Sequence, residues 1–239
     1  MSIRIHNRFY QLSALFLALL LQFNVFSQDE VRYKFGVEIN YSPSYNGIIH
    51  HQGSLVSQST FDTVLANEFG RFVQPIALNF TYDPIASLRF KVGIGYQELG
   101  YNSSRFLSQL ENNSFVEVTF QEVNRYLQVP LSIQYFAVKS FYLEASYVPM
   151  VFVNTKSTQH YTSDELDLDV IHISRNGFNA YNHMVALSVG YQARLGESSV
   201  SVSLAPRISY SLGFVEQSKD YIQRSHWQVG INLGIHTFL

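Results

Sequence analysis

Residues 33–41 read YKFGVEINY. Tyr33, Phe35, Val37, Ile39 and Tyr41 alternate without a slip with Lys34, Gly36, Glu38 and Asn40. Successive side chains of a β-strand point to opposite faces, so this stretch is a strand with one apolar and one polar side. Whether the apolar side meets a protein core or lipid sets the class of the molecule.

The same period returns seven times. It runs through QPIALNFTY (74–82), LRFKVGIGY (88–96), RYLQVPLSIQY (125–135) and FYLEASYVPMVFV (141–153). It continues in MVALSVGYQ (184–192), VSVSLAPRISYSL (200–212) and WQVGINLGIHTFL (227–239). Each segment is close to the 9–11 residues that a tilted strand needs to cross a bilayer. No stretch after the N-terminal leader keeps a 3.6-residue period, so the expected fold is all-β.

The connections are more telling than the strands. Tight turns at 83–87, 137–140 and 194–198 alternate with polar stretches near 43–69, 99–121 and 155–179, and a shorter one near 215–224. That rhythm predicts an eight-stranded antiparallel up-and-down transmembrane β-barrel, with short periplasmic turns and long extracellular loops.

A soluble barrel with its apolar face turned inward would show the same alternation. Three features favour lipid. The polar parity is rich in Gly and Ser (Gly36, Gly93, Gly95, Ser132, Ser201, Gly234), which suits a crowded bore better than a water-facing surface. Aromatics gather at strand ends, with Tyr82, Tyr135, Phe141 and Tyr191 by the tight turns and Tyr96 and Trp227 at the other rim. Apolar residues also run nearly unbroken along one parity of every segment.

Composition agrees. Charged residues make up 14% of the 239 residues, against about 25% in an average soluble domain, while 46% are hydrophobic and 15% aromatic. Residues 1–27 read as a signal peptide: Arg4 and Arg8, then the apolar LSALFLALL, with cleavage expected between Ser27 and Gln28. The mature domain would then be 28–239. Losing two arginines and no acid takes the net charge from −2 to −4, which leaves no basic footprint for nucleic acid. There is no Cys, so thiol catalysis, disulfides and lipidation at a leader cysteine are excluded.

The stretch RYLQVPLSIQYF, a tight turn and FYLEASYVP resemble the "YL-x-[IV]-P-L" strand and its partner in the outer-membrane β-barrel (PorT-like) family of Bacteroidetes. The FSQ end of the leader is similar too. The resemblance implies fold and an outer-membrane location; it carries no functional residue.

The inward parity holds Arg32, Lys34, Glu38, Arg71, Arg89, Lys91, Glu144 and Arg207, a basic surplus of four. The expectation is a structural lumen network in which Arg89, Lys91 and Arg207 surround Glu144 and Glu38 and fill the bore; the alternative is a basic channel for anions. Asp164, Glu165, Asp167 and Asp169 suggest either a hard-cation site such as one for Ca²⁺ or, better matched by the alternating Leu166 and Leu168, a solvated hairpin extending a strand. His50, His51, His160 and His172 lack ligand spacing. GxSxG and a Gly-rich phosphate loop are absent, so no catalytic residue, cofactor or metal is expected. The expected role is structural or surface interaction, with membrane lipid around the barrel and any extracellular or envelope protein partner met by the loops. The alternatives are a transporter for small or apolar solutes, helped by ladder breaks at Pro130, Pro149 and Pro206, then a soluble ligand-binding barrel or a membrane lipid enzyme.

Overall fold

The computed structural model describes residues 34–109, 115–138, 140–162, 167–196 and 198–239. The leader and its cleavage point at Ser27 and Gln28, Arg32, and the acids Asp164 and Glu165 lie outside the described residues. In chain order the elements are β1 (Lys34–Tyr41), β2 (Ser44–His51), helix α1 (Gln58–Asn67), β3 (Glu68–Phe69), β4 (Arg71–Val73), β5 (Ile76–Ile85) and β6 (Leu88–Ser103). There follow β7 (Phe106–Gln109), β8 (Phe115–Gln128), β9 (Leu131–Val138), β10 (Phe141–Thr162), β11 (Asp167–Ser174), β12 (Tyr181–Arg194), β13 (Val200–Ser211) and β14 (Gln223–Phe238).

Proline explains why some walls come in two pieces. Pro43 separates β1 from β2, Pro75 separates β4 from β5, and Pro130 separates β8 from β9. Each lacks the N–H that a continuous ladder would use. Read as walls, β1/β2, β4/β5, β6, β8/β9, β10, β12, β13 and β14 each pair with the next, always antiparallel. The last wall returns to the first, from Gly36 opposite Phe238 to Tyr41 opposite Leu233. The sheet closes. It is an eight-stranded antiparallel up-and-down barrel, and closure leaves no unpaired edge in the band that lipid covers.

Burial settles which face is which. Ile94 is 68% and Leu187 62% exposed, whereas Thr81 is 0% and Glu38 2% exposed. The apolar parity therefore points away from the barrel axis. A continuous apolar belt of that kind far exceeds what a soluble monomer shows to water, and hydrocarbon is its matching solvent. Aromatic pairs mark both rims of the belt. Phe35 stacks on Tyr82 at 5.1 Å and Phe141 meets Tyr191 at 5.0 Å by the turns; Tyr45 touches Phe72 and Trp227 at 5.6 and 5.9 Å at the opposite mouth. From Phe72 to Tyr82 is about 33 Å of strand, or roughly 25 Å of height at a tilt near 40°. That matches the apolar band of a membrane barrel.

Two expectations need correction. The stretch near 99–121 read as a long loop at the mouth is largely strand, with β6 and β8 carrying the wall to Ser103 and back from Phe115, while the strand-extending hairpin expected around the acids is present as β10 with β11, from Thr155–Ser174 to Thr162–Asp167. Their polar sequence reflects a water-facing outer side and a polar mouth interior, where Glu122 and Asn124 are buried, not irregular backbone. The second is α1, which the absence of a 3.6-residue period left unforeseen. None of its residues is buried, and its apolar face is only one turn long, Phe61, Val64 and Leu65; its clearest local sign is the cap, where the Ser57 side chain accepts from the Thr60 N–H.

Candidate functional site

The bore is the first place to look, and it is full. At the turn end, Arg89 on β6 forks onto Asp83 at the end of β5, with Nε donating to Oδ1 at 2.7 Å and Nη2 to Oδ2 at 2.8 Å. Its remaining Nη1 donates to Gln192 at 3.1 Å, and its guanidinium lies over the Phe136 and Phe238 rings. His236 shares this floor, bonded to Thr81 at 3.0 Å. A Cβ on Gly190 would run into the Tyr142 ring, so the tight bore demands glycine there.

One layer higher sits the most deeply buried ion network. Lys91 Nζ donates to Glu144 Oε2 at 2.7 Å and to Glu38 Oε1 at 3.3 Å. Gln134 donates to the same Glu144 oxygen at 2.7 Å, and Ser146 to its other oxygen at 3.1 Å. Arg207 shares a small cavity of about 20 Å³ with Glu144, Ser42, Asn40 and Gln128. Such a space holds about one water, not a passing solute.

The predicted basic surplus is not what these residues build. Lys91 and Arg207 face Glu38 and Glu144, and Asp83, from the turn, matches Arg89. Lys34 is exposed beside the Phe238 ring, and Arg71 sits at the mouth near Glu98. The described bore is charge-balanced, which removes the basis for an anion-selective lumen.

Near the mouth the inward parity changes character. Leu99, Tyr126, Val148, Met150 and Met184 pack together, with Phe152 and Phe178 against them, and Val215 closes the cluster from the 213–222 segment. That segment is tied down by Val215 N to Arg224 O at 3.0 Å and Asn179 N to Val215 O at 2.9 Å. The signal was present in YVPMVFV at 147–153, where both parities turn apolar: Val148 and Met150 are buried in the cluster while Tyr147 and Val151 lie on the outward belt.

Above this apolar stopper lies a cluster with no trace in local sequence. Arg224 forks onto Glu68 at 2.7 and 2.6 Å, donates from Nη1 to Glu216 at 2.6 Å, and lies over the Tyr101 ring at 4.5 Å. His50 bonds the same Glu68 at 2.8 Å. Glu122 takes Asn124 at 3.0 Å, and Tyr101 reaches it at 3.4 Å. Burial pulls against the charge of Glu68, but the Arg224 and His50 hydrogen bonds outweigh it and hold the carboxyl below its ordinary range. Burial pushes the Glu122 carboxyl up, beyond what Asn124 and Arg224 offset.

The signs differ, and so do the consequences. Glu68 stabilises the clamp above the ordinary carboxylate range and loses that contribution as pH falls through its depressed value; Glu122 costs stability as pH rises through its elevated one. Arg224→Gln is expected to cost about 2–3 kcal/mol locally, because it strands Glu68 and Glu216. Limited proteolysis of 213–222 against pH checks it. The wild type should open as pH drops below the ordinary carboxylate range, whereas the variant should be cut at neutral pH too.

His160 lies on the β10–β11 hairpin, 2.8 Å from Asp169 and 3.7 Å from Asp167. Among the described residues no group of three or more His, Asp or Glu is placed to hold a metal ion. His51 bonds Ser225 at 3.2 Å, and His172 is exposed on β11 opposite Ser157.

No family model matches the chain, and no curated protein matches it. Among solved structures it is similar to Neisserial surface protein A, at 12% identity and a TM-score of 0.36 over 85% of this chain and 96% of that one. It is also similar to the outer membrane protease OmpT from Escherichia coli (8%, 0.42, 89% and 100%) and to the outer membrane protein OprG from Pseudomonas aeruginosa (12%, 0.35, 87% and 98%).

Proposed function

We propose that the protein is a small bacterial outer-membrane barrel that acts at the cell surface through its mouth-side strands, with the lumen closed. In this reading residues 1–27 are a leader removed between Ser27 and Gln28, the tight turns face the periplasm, and the β8–β10–β11 sheet stands outside the cell. The similarity of RYLQVPLSIQYF and FYLEASYVP to the PorT-like barrels of Bacteroidetes fits that location.

The observation that carries the reading is the filled bore. The Lys91 side chain is 1% exposed between two carboxylates, and the apolar cluster from Leu99 to Val215 stoppers the mouth. A channel would need both to part. The barrel is then an anchor, and the surface it presents is the sheet built by β8, β10 and β11. Neither a catalytic residue nor a cofactor is part of this proposal.

Reconstitution into planar bilayers tests it. The expected result is no steady ion current at neutral pH. Sustained single-channel conductance would overturn the closed-lumen reading in favour of solute transport. Recovery of the protein in an aqueous periplasmic fraction without detergent would overturn the membrane location itself.

A further inference from the structure

Residues 167–174 read DLDVIHIS and build β11, an edge of the sheet that stands above the mouth. β11 pairs with β10 from Thr155–Ser174 to Thr162–Asp167, and with no other strand among the described residues. The reason is the uneven wall. β12 begins at Tyr181 opposite Val151, and β13 ends at Ser211 opposite Met184, so both stop below the level at which β11 starts. In an antiparallel pair every second residue turns its N–H and C=O away from the partner, so β11 presents a row of these groups to solvent.

Such edges are ordinarily blunted by shortness, lysine, proline or a bulge. The opposite edge of the same sheet follows that rule, since β7 has four residues. β11 does not. Its eight residues contain no Pro, Gly, Lys or Arg, and its register with β10 runs without a break. Its side chains add a pattern. Thr155 is buried on the axis side, so Lys156, Thr158 and His160 point outward, and with them the residues opposite, Ile173, Ile171 and Asp169. Ile171 is 51% and Ile173 67% exposed. Asp169 and Asp167 follow toward the tip, and His160 reaches Asp169 from β10, away from the open side. The edge is thus β-branched near the membrane and acidic at its far end.

We infer that this edge docks an extended segment of a partner protein by antiparallel strand addition, a segment with β-branched residues at alternate positions of its first half and basic residues at alternate positions of its second. Main-chain hydrogen bonds to the open row supply the affinity, and the side chains falling opposite Ile173, Ile171, Asp169 and Asp167 supply the selectivity. A second copy of this chain is a poor match. Two-fold pairing about Val170 sets Asp169 against Ile171 and Asp167 against Ile173, and pairing about Ile171 sets Asp169 against Ile173. The inference rests on the surface-interaction reading and names its partner class; steady ion current would overturn that reading, while binding at this edge is measured separately.

Fluorescence anisotropy of a labelled peptide against the full-length protein in detergent tests it. The probe is about nine residues long, with valine at alternate positions of its N-terminal half and lysine at alternate positions of its C-terminal half. It should bind saturably. Methylating one set of alternate backbone amides should weaken binding by about tenfold or more, and methylating the other set should not, because only one set faces β11. Ile171→Lys with Ile173→Lys, both at exposed positions, should weaken it to a similar degree. Asp167→Lys should weaken the lysine peptide and strengthen its glutamate counterpart, a gain that a misfolded variant could not show. No saturable binding up to about 1 mM, equal effects of the two methylated sets, unchanged binding in the isoleucine double variant, or no exchange of preference in Asp167→Lys would overturn the inference. A wild type that is dimeric in detergent and monomeric as the isoleucine double variant would overturn the choice of partner in favour of a second copy.

Discussion

Leu187→Arg is expected to lower folding stability in lipid vesicles by about 2–4 kcal/mol, the cost of a charge near the midplane of a barrel's lipid face. Leu187 lies near the middle of β12, opposite Ala145 and Ile208, and is 62% exposed on the outward parity. Tyr181→Arg, at the mouth end of the same strand, should cost about 0–1 kcal/mol because a long side chain there reaches the interface. Reversible urea unfolding in vesicles, followed by tryptophan emission from Trp227, measures both. A flat response along β12 would mean that water, not hydrocarbon, covers this face. That result would remove the membrane assignment.

Lys91→Met should be at least as damaging, at about 3–5 kcal/mol, for a different reason. The substitution keeps the volume but leaves Glu38 and Glu144 buried at 2% and 6% exposure with their shared cation gone. Replacing all three as Lys91→Met, Glu38→Gln and Glu144→Gln should recover most of the loss, because no buried charge is left unpaired and the amide at 144 can still bond to Ser146 and Gln134. The same unfolding assay applies. A loss below about 1 kcal/mol in the single variant would mean that water reaches the carboxylates, and with it that the bore is open.

How much of this was legible beforehand follows from the range of the forces involved. The walls were visible because strand alternation is local: Phe35, Val37 and Ile39 announce their face within five residues. Glu38, Lys91, Glu144 and Arg207 could be assigned inward by parity alone. Their balance could not, since Asp83 sat in what read as a turn and Lys34 and Arg71 leave the lumen at its ends. The mouth clamp was invisible for a stronger reason. Glu68 and Arg224 are 156 positions apart and meet only because β3 and β14 are brought to the same rim by closure. The length of the mouth-side strands was missed because polar residues on both faces erase the alternation that identifies a strand, and α1 because Phe61, Val64 and Leu65 make an apolar face only one turn long.

The uneven height of the wall has one more result. β10 runs eleven residues past Val151 to Thr162, on the order of 35 Å of strand, while β13 stops at Ser211. The barrel is therefore a keyed peg and not a round one: its crest rises over one arc of the circumference. A neighbour in the same membrane would meet either a tall flank or a low one, so spin about the membrane normal decides which surface it encounters.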